Sequence, residues 1–328
     1  MGRKSITLPS AILTRNYFPS RKSCKTILWM LTLPNKPITF ALDGSRVLVT
    51  SGSAKFTLPT LSVDEYPNLP ELPDSTGTVP SDTFATAVAQ VAIAAGRDDS
   101  LPTLTGVHVE INEETITFAA TDRYRLAVRE IQWAPSAPNT TTTALLRART
   151  IADAAKSLTG SKDVSLSFAP NTSNDRLAGF AGDGKTMTSR MLDGTFPPYR
   201  HLLPQEVTTT ALIEVATLLD SVRRVALVTD KTVPLRLDFA NNTLSLEAGA
   251  GEEAQATEAI EILLTGEPIS IAFNPTFLAD GLNAVGTKFV QISFTGSNKP
   301  AILMGKSDKD GALVESYRYL LMPMRYAS

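Results

Sequence analysis

The 328-residue chain carries one cysteine, Cys24, and only two histidines, His108 and His201. A lone cysteine excludes an intramolecular disulfide framework and a four-cysteine zinc site, and it fits a reducing, cytoplasmic setting. With so few thiol and imidazole ligands, neither a metal nor a cofactor is expected. No apolar run approaches the ~20 residues that cross a bilayer, so no membrane partner is expected. A cationic excess is also missing: Lys and Arg number 31, Asp and Glu 33, and the formal net charge is -2. That balance argues against a protein that holds nucleic acid by covering phosphates with cations. No GxSxG, HExxH or Walker-type GxxxxGK run occurs, nor a GxGxxG after a strand, so no local motif supplies a nucleophile, a base or a phosphate cradle. The chain therefore reads as non-catalytic. Asp98-Asp99 and Glu252-Glu253 read as polar loops, and His108 as solvent-facing on a strand whose Val107, Val109 and Ile111 point inward.

What the sequence does have is repetition. Lys36-Pro-Ile-Thr-Phe40, Asp163-Val-Ser-Leu-Ser-Phe168 and Phe289-Val-Gln-Ile-Ser-Phe294 recur at a spacing of about 127 residues, the scale of a whole domain. A helix precedes two of them: Thr150 is placed to cap Ile151 to Leu158, and Asn274 to cap a helix that opens on Pro275 and stops at Gly286. A second helix repeats too. Ser81 is placed to cap one carrying Phe84, Val88, Val91 and Ala95 on one stripe, and the stretch from Thr217 to Ala226 matches it. Hairpins follow each, turning at Asn112-Glu113-Glu114 and at Asn241-Asn242; another turns at Asp43-Gly44.

Strands outnumber helices, which predicts an α+β fold of repeated domains, with antiparallel sheets and helices on one face. The domains expected are 80–204 and 205–328, after a partial unit at 1–73. Proline-rich connectors at 66–73 and 196–204 agree. Residues 1–32 depart from the pattern. Seven Lys or Arg precede the first acid, Asp43. The expectation is an atypical, disordered segment left by a truncated or frame-altered start, rather than a targeting peptide.

Several ordered motifs resemble one family. Leu101-Pro-Thr-Leu-Thr-Gly-Val107 and Ala119-Ala-Thr-Asp-Arg-Tyr-Arg-Leu-Ala-Val-Arg-Glu130 are similar to the central domain of the bacterial DNA polymerase III sliding clamp, and Tyr319-Leu-Leu-Met-Pro-Met-Arg325 to its C-terminus. Phe196-Pro-Pro-Tyr-Arg200, Ile271-Ala-Phe-Asn274 and Phe56-Thr-Leu-Pro-Thr-Leu61 add to the match. The resemblance implies a processivity factor that encircles duplex DNA as a head-to-tail homodimer, provided the shortened first domain permits closure. It also implies tethering of the replicative polymerase, the clamp loader and repair proteins through a short peptide motif. A monomeric, partner-binding clamp fragment that cannot close a ring is the alternative.

On that resemblance, the peptide pocket comprises Leu104, Thr121, Arg123, Tyr124, Arg125, Leu126, Pro197, His201, Leu202, Asn274, Phe277, Pro300, Leu320, Leu321, Met322, Pro323, Met324 and Arg325. Without the resemblance, Leu126, Leu320 and Leu321 read as strand core residues. His201 stands where the family commonly has arginine. Arg97, Lys156, Arg223 and Arg224 are expected to face DNA. Phe56, as an exposed aromatic, and the aliphatic pair Leu227 and Val228 are expected at the ring joint.

Overall fold

The computed structural model describes residues 36–59, 70–169, 176–204, 206–228, 233–249 and 254–325, together with the backbone of Ser5–Leu8. Cys24, the remainder of 1–32, residues 66–69 and Glu252-Glu253 lie outside the described residues. The chain divides into two compact units, Met1–Pro70 and Glu71–Ser328.

The first unit holds one antiparallel sheet in the order β1 (Ser5–Leu8), β2 (Ile38–Asp43), β3 (Arg46–Ser51) and β4 (Ala54–Pro59). Gly44, in the left-handed region at φ 61°, makes the expected turn between β2 and β3. Ile38 and Val49 are buried on one face, with Phe40, Val47, Phe56 and Leu58 packed around them. Phe56 was expected to be an exposed aromatic; instead it is half-buried in this small core. The reason is strand alternation, which turns Ala54, Phe56 and Leu58 to the covered side of β4.

The second unit carries the repeat. Its first half runs β5 (Ser75–Pro80), α1 (Ser81–Ala92), β6 (Gly106–Asn112), β7 (Thr115–Thr121), β8 (Arg125–Gln132), β9 (Ala134–Pro135), β10 (Thr141–Arg147), α2 (Ala148–Ser157), β11 (Asp163–Phe168), β12 (Leu177–Gly182) and β13 (Lys185–Arg190). The same order follows again: β14 (Thr209–Glu214), α3 (Val215–Val225), β15 (Leu235–Ala240), β16 (Thr243–Ala248), β17 (Ala256–Glu261), β18 (Leu263–Thr265), β19 (Ile269–Phe273), α4 (Pro275–Val285), β20 (Phe289–Phe294), β21 (Ala301–Lys306) and β22 (Leu313–Leu321). Each half is thus one strand, a helix, five strands, a helix and three strands.

The halves share a sheet. Strands β10-β6-β7-β8 of the first continue without a break into β22-β21-β20-β14-β18 of the second. The seam is the antiparallel pair β8 and β22, in which Arg125 opposes Leu321 and Arg129 opposes Tyr317. Two smaller sheets, β13-β12-β11-β5-β9 and β17-β16-β15-β19, repeat the two orders found within the large one. Helix α1 packs on α2 and α3 on α4, and Gln90 of α1 donates to the Ala284 carbonyl of α4 at 2.8 Å. One hydrophobic core, from Val79 to Leu321, runs beneath both halves.

Helix starts divide the expectations. Asn274 caps α4 as predicted, accepting from the Thr276 and Phe277 amides at 2.9 and 3.2 Å, and Gly286 ends the helix at φ 73°. Ser81 and Thr150 do not cap. Helix α1 has Pro80 before its first turn, and the Ser81 hydroxyl donates to the Ser161 carbonyl, tying the helix to the start of β11. Helix α2 begins at Ala148, so Thr150 lies inside its first turn. A serine or threonine ahead of an apolar stripe offers the cap, but tertiary partners decided where these helices begin.

Candidate peptide-binding site

A cavity of about 370 Å³ opens where the two halves of the second unit meet, beside the seam. Its wall is built from the segment after α1, from Ala95 to Leu104, the tight connection between β7 and β8, and the first turns of α4.

The β7–β8 connection is short and held by its own side chains. The Thr121 hydroxyl accepts from the Arg123 amide and donates to the Arg125 carbonyl, while Asp122 Oδ1 accepts from the Tyr124 and Arg125 amides, each at 3.0 Å. This Asx-type arrangement leaves Arg123 in the left-handed region at φ 80°, unusual for a residue with a Cβ. Tyr124 is consequently thrown outward, 58% exposed, its ring 6.4 Å from that of Phe277. Phe277 owes its place to the Asn274 cap, which fixes the first turn of α4.

Arg125 is the hub. Only 5% exposed, it donates Nε to Asp122 at 2.9 Å and Nη1 to Asp280 at 2.6 Å, and its guanidinium lies 4.2 Å from the Phe277 ring centroid. Burial alone would depress its pKa, but Tyr319, Asp280 and Asp122 together hold it above the ordinary arginine value, so the charge is retained. Tyr319 donates its hydroxyl to the Phe277 carbonyl at 2.9 Å and is pushed up in pKa, chiefly by burial. Gly281, on the inner face of α4, makes this possible, because a Cβ there would strike the Tyr319 ring. Asp280 was not anticipated; its position three residues after Phe277 on the same helix face was the available signal.

The C-terminal strand meets the same loop. The Met322 amide donates to the Tyr124 carbonyl at 2.9 Å, and the Met324 amide to Ala272 at 2.8 Å. Met322 is 37% exposed, with Pro323 and Met324 half-buried and Arg325 exposed.

The expected pocket residues divide into two groups. Leu104, Arg123, Tyr124, Arg125 and Phe277 line the cavity, as does Arg97, expected to face DNA. Leu126 and Leu320, facing each other across the seam, instead pack with Leu145, Phe196, Tyr199 and Ile302 in a second core cluster. These two leucines and Leu321 are at most 2% exposed, so they are strand core. Over that cluster runs the 196–204 connector. Its Leu202 and His201 are exposed and its Pro197 half-buried, as is Pro300. His108 does not face solvent as expected. It stacks on Phe196 at 5.1 Å, and burial there lowers its pKa.

The other expected residues separate as well. Lys156 is exposed at the end of α2 and forms no ion pair among the described residues, whereas Arg224 is held by Glu258 and Arg223 lies 3.7 Å from Asp220. Leu227 is 84% exposed, but Val228 packs partly against the core.

Duplicated α+β modules, sewn through one sheet and presenting a ligand-sized cleft at the seam, define a modular binding scaffold. The comparisons give it a family. The model for the DNA polymerase III beta subunit matches by its N-terminal domain over 27–70, its central domain over 78–198 and its C-terminal domain over 200–325. The beta sliding clamp of Streptomyces coelicolor is 50% identical over 293 residues, which cover 89% of this chain and 78% of that protein. The beta sliding clamp homolog GriR of Streptomyces muensis is 42% identical, covering 90% and 78%. Among solved structures, the sliding clamp of Pseudomonas aeruginosa bound to griselimycin superposes with a TM-score of 0.81 at 24% identity, covering 92% of this chain and 80% of that one. The beta subunit of Thermotoga maritima superposes with 0.80 at 23% identity, covering 93% and 80%.

The chain belongs to the beta sliding clamp family, the non-catalytic processivity subunit of DNA polymerase III. Its function is that of a DNA sliding clamp in DNA replication.

Proposed function

We propose that the chain encircles duplex DNA as a head-to-tail homodimer in the cytoplasm, and that the cavity at the seam receives short peptides of the replicative polymerase, the clamp loader and repair proteins. The observation that carries the second part is the convergence of Leu104, Tyr124 and Phe277 at a cleft whose floor is fixed by Arg125, with Met322 bonded to the Tyr124 backbone beside it. Aromatic and methionine surfaces bury an apolar anchor and adapt to different ligands.

Encirclement accounts for the charge. A ring is retained by topology, so its lining needs only weak, mobile phosphate contacts, and a chain with net charge -2 can still hold DNA. Lys156 is available for that role, whereas Arg223 and Arg224 would first leave their carboxylates. For the joint, Leu227 is the anchor, because an aliphatic side chain 84% exposed offers apolar area to a partner.

Two measurements test the reading. Light scattering should report a dimer that Leu227→Ala converts to monomer; a dimer that survives moves the joint elsewhere. Isotope-edited NMR of the methionine methyls, with griselimycin as the titrant, should shift Met322 before the other methionines. An unmoved Met322 would remove the cavity from the reading.

A further inference from the structure

The cavity has a floor and a rim of different character. At the floor, the one cation Arg125 is shared between two carboxylates, Asp122 and Asp280. At the rim stand Arg97 and Arg123, both exposed and neither in an ion pair among the described residues. The remaining lining charge, Asp98, accepts from the Ser100 amide at 2.9 Å. The rim thus presents two forked guanidinium groups against one carboxylate, Asp98, which Arg123 also attracts. Arg123 also occupies its left-handed conformation at a cost that glycine would avoid, and such conformations cluster at ligand clamps.

We propose that Arg97 and Arg123 select, among peptides that enter the cavity, those carrying a carboxylate beside the apolar anchor. The occupant is an acidic peptide segment, and the inference rests on the peptide-site reading above. A guanidinium presents paired N–H donors that match a carboxylate, and at a rim such contacts govern which partner is accepted. Nucleic acid fits less well. Asp98, Asp122 and Asp280 all contribute to the lining and would oppose a continuous phosphate chain, whereas a single carboxylate can reach the rim while its neighbours bury apolar side chains against Phe277 and Tyr124.

The test uses the full chain and two fluorescein-labelled nonapeptides with the same Leu and Phe core, flanked by two glutamates or by two alanines. An exposed charge contact is worth about two- to fivefold, so two should make the acidic peptide bind about tenfold tighter at low salt. The ratio should shrink toward one in 0.5 M salt, where screening acts within ~4 Å. Arg97→Gln combined with Arg123→Gly should weaken the acidic peptide about tenfold and the alanine peptide by less than threefold. Glycine at 123 suits the backbone, so misfolding does not cloud the result, and circular dichroism verifies this. Tyr124→Ala should weaken both peptides alike. If both peptides bind the unaltered protein equally, the selection is wrong while the peptide site stands. If neither binds, the peptide site falls and the selection with it. If a short single-stranded oligonucleotide displaces the acidic peptide at equal concentration, the rim serves nucleic acid and the proposal is overturned.

Discussion

Replacing Arg125 with methionine tests the hub of the cavity most directly. The substitution keeps much of the side-chain volume but removes the charge, the donors to Asp122 and Asp280, and the cation over Phe277. Breaking a buried pair by deleting one partner costs about 3–5 kcal/mol. Two features reduce that here. Asp280 is 36% exposed and can be rehydrated, and Asp122 keeps two backbone amides on Oδ1. A loss of about 2–3 kcal/mol is therefore expected, which for a unit of this size lowers Tm by about 5–10 °C. Urea unfolding of the single variants Arg125→Met and Asp280→Ala and of the double variant gives the coupling, expected at about 1–2 kcal/mol. A cost below about 0.5 kcal/mol, or additive single effects, would show that the guanidinium is not the link between the β7–β8 loop and α4.

Other substitutions probe separate parts of the argument. Asn274→Ala removes the two cap bonds and should cost about 1 kcal/mol by denaturant unfolding while weakening peptide binding, because Phe277 sits on that first turn. Leu126→Ala, at a site 1% exposed, should cost about 2–5 kcal/mol, whereas Met322→Ala should cost far less and act mainly on peptide affinity. His108 should titrate below the ordinary histidine pKa of about 6.5 in an NMR pH series, since burial against Phe196 favours its neutral form. A depressed folded pKa means the contribution is complete above about 6.5 and is lost as pH falls through the folded value, so His108→Phe should flatten the stability profile there.

Much of the architecture was legible because it is local. The Asn241-Asn242 turn, at φ 53° and 56°, and the Asn274 to Gly286 helix follow from turn and cap chemistry alone. The recurring Phe40, Phe168 and Phe294 segments marked equivalent strands β2, β11 and β20. What was hidden is non-local. Pairing of β8 with β22 leaves no trace in either segment's own pattern, yet it decides that Leu126 and Leu320 bury each other. The same blindness affected Phe56, whose neighbours come from β2 and β3, and Ser81, whose hydroxyl is claimed by the Ser161 carbonyl. Charge roles were harder still. Arg97 reads as one more cation after a helix until the cavity is seen beside it.

The joint between β8 and β22 is made by peptide groups, and peptide groups are the same whatever side chains they carry. Substitution can therefore run freely over the outer surfaces without displacing one module against the other, in keeping with a backbone that superposes at 0.81 on a relative sharing 24% of its residues. A frame so indifferent to sequence lets loop residues such as Arg123 and Tyr124 change with the company a clamp keeps, while the geometry that presents them stays put.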